Sequence, residues 1–260
     1  MTRTLVIAEL GSSWRFGDDH LANAYKLIQA VKACGADVAK FQWTSDGYAM
    51  AHRREFKGAE CEEADWMYRQ YLQYDPQWLH SLKAHCDKVG IEFMCTVYLP
   101  EDIEVIAPLV KRFKVSAFEA EWEEFLKAHP KGCNMIVSLN PGKHIPPLRT
   151  NLNFEIDVLH CVSEYPTPLE NLGLERAELG RDWWKSGLSD HTTSTLTGAL
   201  AVAAGASIVE KHVRLLDTPQ DNPDYPHSLV AHSLNESRFT ADCCQFQTYV
   251  RNIREAERCM

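Results

Sequence analysis

Two histidines in the last third of the chain stand where a metal ion could be held. The stretches 187–192 and 206–212 each predict a short buried strand, and the apolar residues of 193–206 recur at helical spacing, so the three segments predict a βαβ unit. Such a unit brings His191 and His212 side by side at the carboxyl ends of parallel strands, where α/β folds place their chemistry. Imidazole nitrogens bind Zn, Mn, Fe or Co, and two protein ligands leave positions for water and substrate. We therefore predict that these two histidines hold a metal ion.

Polar side chains recur at the carboxyl ends of the other predicted strands. Two lysines and several hydroxyls there suit a small phosphorylated anion, because lysine supplies charge and hydroxyls supply directed hydrogen bonds. The strand-end set is Glu9, Lys40, Thr96, Lys114, Ser138, Ser163, Ser189 and Glu210. The absence of a G-x-S-x-G motif disfavours Ser-His-Asp hydrolysis.

Structural alternatives exist for each of these residues. A lone strand histidine is more often a hydrogen-bonded core residue than a ligand, and a hydroxyl at a strand end often caps a helix. Lys114 and Glu119 are an odd number of residues apart, so in one regular strand their side chains would point to opposite faces. Glu119 can therefore enter the same pocket only from the following loop or past a β-bulge.

Eight predicted strands with mostly helical crossovers position this set, and they predict an α/β (β/α)₈ TIM barrel forming a single domain over residues 1–260. The predicted strands are 4–11, 37–42, 91–97, 112–118, 134–139, 154–161, 187–192 and 206–212, and the predicted helices are 19–34, 76–89, 101–110, 193–206 and 236–258. Pro141, Pro146 and Pro147 leave little room for a helix between the fifth and sixth strands. A doubly wound open sheet is the alternative, although no Gly-rich dinucleotide fingerprint follows the first strand.

The segment 44–74 is too long and too aromatic for an ordinary loop, and we expect part of it to form helix over an active-site mouth. Its aromatic side chains include Tyr48, Trp66 and Tyr68. The alternative is a helix that simply packs on the barrel rim.

Composition and charge limit the kinds of binding partner and the cellular compartment that we expect for this protein. A net charge of −9 and a pI near 5.7 argue against nucleic acid. The chain contains no run of 18 apolar residues, and its amino terminus lacks the apolar region of a signal peptide. We therefore expect no membrane association and a cytoplasmic protein. Nine cysteines, an odd number with several in apolar strand-like runs, indicate reduced core thiols.

The chain resembles the sialic acid synthase family, which comprises N-acetylneuraminate synthases and relatives that make other nonulosonic acids. The resemblance covers about residues 1–235. It is carried by Tyr-Pro-Thr-Pro at 165–168, Gly-Leu-Ser-Asp-His-Thr at 187–192 and Glu-Lys-His at 210–212, with shorter matches at 6–9, 38–42, 90–93 and 159–161.

The resemblance implies an enzyme that condenses phosphoenolpyruvate with an open-chain N-acyl aldose and releases phosphate by C–O cleavage, giving a 2-keto-3-deoxy sugar acid. It implies a divalent metal held by His191 and His212, with Mn²⁺ preferred over Mg²⁺, Co²⁺ or Zn²⁺. The matching phosphoenolpyruvate contacts are Lys40, Thr96, Lys114, Ser138 and Ser189, joined here by Ser163, which stands where asparagine is usual. The positions that match groups near the metal or the sugar, to which we assign catalytic roles, are Glu9, Glu119, Tyr165 and Asp224.

Two other functions stay open. A related synthase could take a phosphorylated acceptor, for which Arg53, Arg54 and Lys57 are the obvious extra cations. A catalytically idle barrel could instead serve as a binding partner, but buried charged groups that no longer served a function would only cost stability.

The family also implies a carboxyl-terminal antifreeze-like domain, which reaches across a domain-swapped homodimer and contributes an arginine to the sugar site. The chain ends at Met260, directly after the last predicted helix, so we expect an acceptor pocket that is more open or is closed by the segment 44–74. We expect activity without a second protein and an aldose other than N-acetylmannosamine. A separately encoded antifreeze-like partner is the alternative.

Overall fold

Eight parallel strands close into a barrel, because the last of them pairs with the first. The computed structural model describes residues 3–54, 59–146, 154–176, 179, 186–232 and 244–260. The strands are β1 (Leu5–Gly11), β2 (Val38–Gln42), β3 (Glu92–Thr96), β4 (Phe113–Val115), β5 (Asn134–Leu139), β6 (Glu155–Cys161), β7 (Ser186–Asp190) and β8 (Ile208–Arg214). A short ninth strand, β9 (Leu229–Val230), pairs in parallel with the last residues of β8. The predicted (β/α)₈ barrel is confirmed.

Helices surround the barrel. They are α1 (His20–Ala33), α2 (Gly47–Arg53), α3 (Ala59–Tyr71), α4 (Gln77–Val89), α5 (Pro100–Ile106), α6 (Glu123–Ala128), α7 (Thr197–Ala203) and α8 (Gln245–Cys259). The first crossover helix begins where Asp19 accepts a hydrogen bond from the Ala22 amide, and α4 ends at Gly90 in the left-handed conformation. The predicted helix 193–206 is shorter, and part of the predicted helix 236–258, residues 236–243, lies outside the described residues.

The crossovers on either side of β6 are the irregular ones. Residues 140–146 contain no helix, in keeping with Pro141 and Pro146, whereas Pro147 lies outside the described residues. After β6, the described residues form two short 3₁₀ turns, Leu169–Asn171 and Leu174–Arg176. Both crossovers thus depart from the regular strand-helix alternation.

An apolar layer fills the lower half of the barrel. It consists of Ile7, Val38, Met94, Ile136, Leu159 and Ile208, one side chain from each of six strands. In β7, Gly187 pairs with Ile208 at the same height in the barrel. A larger residue would not fit there, because a Cβ would lie 2.0 Å from the Ile208 carbonyl oxygen. Since inward residues recur every second position, the next inward residues along the strands lie directly above this floor.

A buried polar cluster joins β7 and β8 to the helices outside. Lys211 Nζ lies 3.2 Å from Asp190 Oδ1, and neither side chain is exposed. Asp190 Oδ2 also accepts hydrogen bonds from the hydroxyls of Thr197 in α7 and Tyr249 in α8. The alternation that turns the flanking residues inward turns these two charges toward the helices, so they belong to the barrel's packing rather than its mouth.

Two expectations from composition concern the chain as a whole. Among the described residues, no helix combines the length and the apolar character needed to cross a bilayer. The described cysteines are all free thiols, with Cys95 and Cys161 buried and Cys133 half-buried.

Candidate active site at the barrel mouth

A cavity of about 330 Å³ opens at the carboxyl ends of the strands. Of the twelve residues that the sequence assigns to the site, ten line it, namely Glu9, Lys40, Thr96, Lys114, Ser138, Tyr165, Ser189, His191, His212 and Asp224. Glu119 and Ser163 lie behind this lining. The lining also includes residues to which the sequence assigned no role, among them Gln42, Tyr98 and His227.

Lys40 occupies the floor of the cavity, buried between two carboxylates. Its ammonium pairs with Glu9, lies 3.7 Å from Glu210 Oε2 and donates to the Thr96 hydroxyl at 3.0 Å. Burial lowers the pKa of Lys40 to about 8, although the nearby Glu210 carboxylate opposes that shift. Lys40 is therefore charged at neutral pH but titrates far closer to it than a surface lysine.

Lys114 approaches Glu210 from the opposite side. Its Nζ lies 3.7 Å from Glu210 Oε1 and donates to the Ser138 hydroxyl at 2.9 Å, while the Ser189 hydroxyl donates to the same Oε1 at 3.2 Å. Burial alone would raise the pKa of Glu210, but Lys114 and Lys40 outweigh it and lower that pKa. One carboxylate thus holds two ammonium groups at the cavity floor, with hydroxyls beside them.

Glu9 is oriented by the backbone and by its neighbours in β1 and β2. Its Oε1 accepts hydrogen bonds from the Gly11 amide at 2.6 Å and from Gln42 Nε2 at 3.3 Å, and the Tyr98 hydroxyl fixes Gln42 at 2.6 Å. The β1–β2 register shifts between Glu9 and Gly11. This irregularity brings the Gly11 amide back onto the carboxylate.

Three imidazoles gather on one wall of the cavity. The ring centroids of His191 and His212 are 5.4 Å apart, and those of His212 and His227 are 4.5 Å apart. Burial lowers the pKa of His191 to about 3 and of His212 to about 4, so both rings are neutral at physiological pH. His191 Nδ1 donates to the Val162 carbonyl at 2.7 Å, which leaves the Nε2 lone pair free.

Asp224 lies between two of these rings. Its Oδ1 is 3.2 Å from His212 Nδ1 and 3.2 Å from His227 Nε2, while Ser12 donates to Oδ2. Burial by itself would raise the pKa of Asp224, but the hydrogen bonds from the two histidines bring it well below its usual range. Gly11 permits this placement, because a Cβ there would lie 2.2 Å from Asp224 Oδ2.

The donor set fits a divalent metal ion. Ligand atoms of His212, Asp224 and His227 all lie within 4.8 Å of one another, and His227 Nδ1 is buried with no hydrogen-bond partner in the described part of the chain. Two imidazoles with a carboxylate suit first-row ions such as Mn²⁺, Fe²⁺, Co²⁺ or Zn²⁺. His191 stands next to this group, whereas the sequence paired His191 with His212 alone.

Tyr165 covers the histidines from the solvent side. Its ring centroid lies 4.1 Å from that of His191 and 5.1 Å from that of His227, and the residue remains 46% exposed. Burial of the hydroxyl raises its pKa. Tyr165 is therefore a neutral, partly exposed hydrogen-bond donor at the entrance to the cavity.

An arginine from the segment 44–74 forms the opposite wall. Arg54, which caps the end of α2, donates through Nη2 to Glu119 at 3.1 Å and through Nη1 to the Tyr68 hydroxyl at 3.0 Å. Burial alone would lower the pKa of Arg54, but Glu119 raises it. Glu119 lies on the loop after β4, which removes the parity conflict with Lys114.

The remaining predicted residues take different places. Tyr68 lines the cavity, but Tyr48 and Trp66 point away from it and are 49% and 61% exposed. Ser163 is half-buried, and its backbone amide donates to Asn140 Oδ1 at 3.0 Å. Among these four side chains, only that of Tyr68 is placed to meet a ligand directly.

Comparison with known proteins shows what the chain is similar to. The NeuB family model matches residues 27–257. The N,N'-diacetyllegionaminic acid synthase of Campylobacter jejuni is 30% identical over 90% of this chain and 74% of its own length, and human N-acetylneuraminate-9-phosphate synthase is 27% identical over 98% and 70%. The fold is similar to that of the N-acetylneuraminic acid synthetase of Leptospira borgpetersenii, with a TM-score of 0.80 and 20% identity, covering 99% of this chain and 85% of that one.

Proposed function

This chain belongs to the NeuB family, and we propose that it condenses phosphoenolpyruvate with the aldehyde carbon of an open-chain N-acyl aldose, releasing phosphate. The single observation that carries the proposal is the cavity floor, where Lys40 and Lys114 flank Glu210 within 3.7 Å of its two oxygens. Paired buried ammoniums beside hydroxyls suit a small, multiply charged anion. The neighbouring histidine wall suits a carbonyl oxygen that must be polarised.

We assign the anionic donor to the floor. Lys40 and Lys114 would offset the charge of its phosphate and carboxylate groups, while three hydroxyls would donate hydrogen bonds. These hydroxyls belong to Thr96, Ser138 and Ser189, and each already contacts one of the charged floor residues. The support is geometric: the cations and the donors are buried, fixed by neighbours and open to one cavity.

We assign the acceptor aldehyde to the histidine wall. His191 and His212 would hold a divalent ion, most suitably Mn²⁺, which when bound acts as a Lewis acid on the aldehyde oxygen. Asp224 lies beside them, 3.2 Å from His212 Nδ1. Tyr165, at the entrance, can donate a hydrogen bond to the same sugar. Arg54 lines the cavity's other side, oriented by Glu119 behind it, and can bind hydroxyl or amide groups of the acyl aldose.

The chemistry then follows from what the side chains can do. C3 of phosphoenolpyruvate forms a bond to the aldehyde carbon, which leaves positive charge at C2, and water adds there before the C2–O bond to phosphate breaks. Glu9, fixed by the Gly11 amide, can stabilise the cation, accept one proton of the attacking water and pass a proton to the former aldehyde oxygen, which becomes a hydroxyl. The second proton of the water leaves with the phosphate as C2 becomes a ketone. The buried lysines stabilise the departing phosphate.

The deciding experiment is an aldose screen. Purified protein with Mn²⁺ and phosphoenolpyruvate is incubated with N-acyl and unmodified hexoses, and released phosphate and 2-keto acid are both measured. We expect the two products in equal amounts, only with an acyl aldose present, and only after metal is restored to EDTA-treated protein. Phosphate release without an aldose, or none with any member of a broad panel, would contradict the proposal.

A phosphorylated acceptor receives less support from the structure. Of the three cations considered for it, Lys57 lies outside the described residues and Arg53 stacks over the Trp122 ring. Arg54 does line the cavity, but Glu119 already accepts from its guanidinium. Including aldose 6-phosphates in the screen tests this alternative directly.

Donor binding is expected to weaken in alkaline solution. The pKa of Lys40 is lowered to about 8, so this lysine loses its charge at a lower pH than an exposed lysine does. Affinity for phosphoenolpyruvate should therefore fall above pH ~8, approaching tenfold per pH unit, because binding needs the protonated form. Calorimetric titration from about pH 7 to 9.5 measures this. Lys40→Arg keeps its charge throughout and should flatten the profile; an unchanged slope in that variant would assign the titration to another group.

A further inference from the structure

His227 is a buried residue that the sequence assigned to no site. It ends the 3₁₀ turn Tyr225–His227, which follows β8, and is 4% exposed. Its ring lies 4.5 Å from that of His212, and its Nε2 lies 3.2 Å from Asp224 Oδ1. A third imidazole therefore reaches the cavity from a loop rather than from a barrel strand.

One nitrogen of this ring has no partner. His227 Nδ1 is buried and makes no hydrogen bond with any residue that the structure describes. A carboxylate only accepts hydrogen bonds, so Nε2 donates to Asp224, and Nδ1 is the ring nitrogen left to act as an acceptor or a ligand. Burying such a lone pair costs stability unless a ligand uses it.

The neighbouring donors show what that ligand would be. His212, Asp224 and His227 have ligand atoms mutually within 4.8 Å, so small side-chain shifts would bring all three within the roughly 4.2 Å that one ion at about 2.1 Å from each donor can span. Three donors of this kind satisfy a first-row divalent ion and leave coordination positions open. Mg²⁺ is a poorer match because it prefers an all-oxygen shell.

We propose that His227 is a direct ligand of the divalent ion, acting together with His212 and Asp224. The inference rests on the proposed function, because both require a metal ion at the barrel mouth, but it adds a ligand from a different segment of the chain. The competing arrangement is that His227 only positions Asp224 through the 3.2 Å contact and never touches the ion.

Metal binding by the full chain separates these arrangements without an activity assay. Protein freed of metal by EDTA is titrated with Mn²⁺ by equilibrium dialysis and with Co²⁺ by visible absorption, which reports the ligand set. We expect His227→Ala to weaken Mn²⁺ binding at least about tenfold and to change the Co²⁺ spectrum, since even residues behind the ligands contribute 10- to 100-fold. His80→Ala, which removes an exposed histidine of α4, is the matched control and should change neither.

His227→Gln distinguishes ligation from positioning. The amide retains a donor for Asp224 but lacks an imidazole nitrogen, so a ligand role predicts weak binding and an altered spectrum in this variant as well. Wild-type affinity with a wild-type spectrum in His227→Gln would overturn the proposal and assign His227 a positioning role. This variant keeps the polar contact and therefore guards against loss of folding in His227→Ala, which circular dichroism checks.

His212→Ala separates failure of this inference from failure of the proposed function. If His212→Ala loses the metal while both His227 variants keep it, His227 is not a ligand and the metal site of the proposed function stands without it. If His212→Ala also binds Mn²⁺ like the wild type, the metal does not bind at this wall, and the assignment of the aldehyde there is wrong too.

Discussion

Lys211→Ala is expected to lower the free energy of unfolding by about 3–5 kcal/mol, because it leaves Asp190 as a buried charge without its partner. Both side chains are fully buried, with Lys211 Nζ 3.2 Å from Asp190 Oδ1. Lys211 also donates to the Thr192 carbonyl, which then loses its donor. Urea denaturation followed by circular dichroism measures the change as a lower midpoint with an unchanged slope.

Two further variants isolate the buried charge as the cause. The double variant Asp190→Asn with Lys211→Met removes both charges, and we expect it to be more stable than Lys211→Ala alone. Lys127→Ala breaks an exposed ion pair with Glu123 in α6 and should stay within about 0.5 kcal/mol of the wild type. If Lys211→Ala were as stable as Lys127→Ala, the pair would contribute nothing to holding α7 and α8 on the barrel.

Comparing the Asp190–Lys211 pair with the cavity residues shows what strand alternation can predict. Glu210 and Asp190 both belong to short motifs that carry the family resemblance. The motifs alone do not show that Glu210 lies in the cavity and Asp190 packs against the outer helices. Period-two alternation places Glu210 with His212 inside the barrel and Lys211 outside. The inward floor residues could be predicted for this reason, since regular strands fix the direction of every side chain.

Positions on irregular segments could not be predicted in the same way. His227 lies on a 3₁₀ turn and Arg54 at the end of α2, and no periodicity fixes where either side chain points. The one available signal for His227 is its spacing of three from Asp224, which in a turn places the two on one side. Strand alternation does not fix the direction of the Glu119 side chain, because β4 ends at Val115 and not at Phe118.

The segment 44–74 was recognised by its length and composition, but its individual contacts depend on tertiary packing. Helices α2 and α3 form a small apolar core of their own, in which Met50 and Tyr68 are buried. Packing of this core turns Tyr68 inward and leaves Tyr48 and Trp66 outside. Aromatic content alone therefore could not say which ring meets the cavity.

Lys40→Ala and Lys114→Ala are each expected to weaken phosphoenolpyruvate binding by about 2–3 kcal/mol, or about 30- to 150-fold in Kd. Each lysine would supply a charge-assisted contact inside a buried cavity, where water does not screen it. Removing one also leaves Glu210 less compensated, and its negative charge would then repel the incoming anion. Isothermal titration of the metal-loaded protein with phosphoenolpyruvate measures both variants.

The part played by Glu210 can be tested by neutralising it in the same background. Lys40→Ala combined with Glu210→Gln removes the repulsion, so donor affinity should recover part of the loss seen in Lys40→Ala alone. Lys143 is an exposed lysine on the loop after β5 and pairs with Glu121. Lys143→Ala removes one positive charge as the other two lysine variants do, and it should leave donor affinity unchanged. Wild-type affinity in both single lysine variants would mean that the phosphate binds away from the cavity floor, whereas equal losses in all three lysine variants would reduce the effect to overall charge.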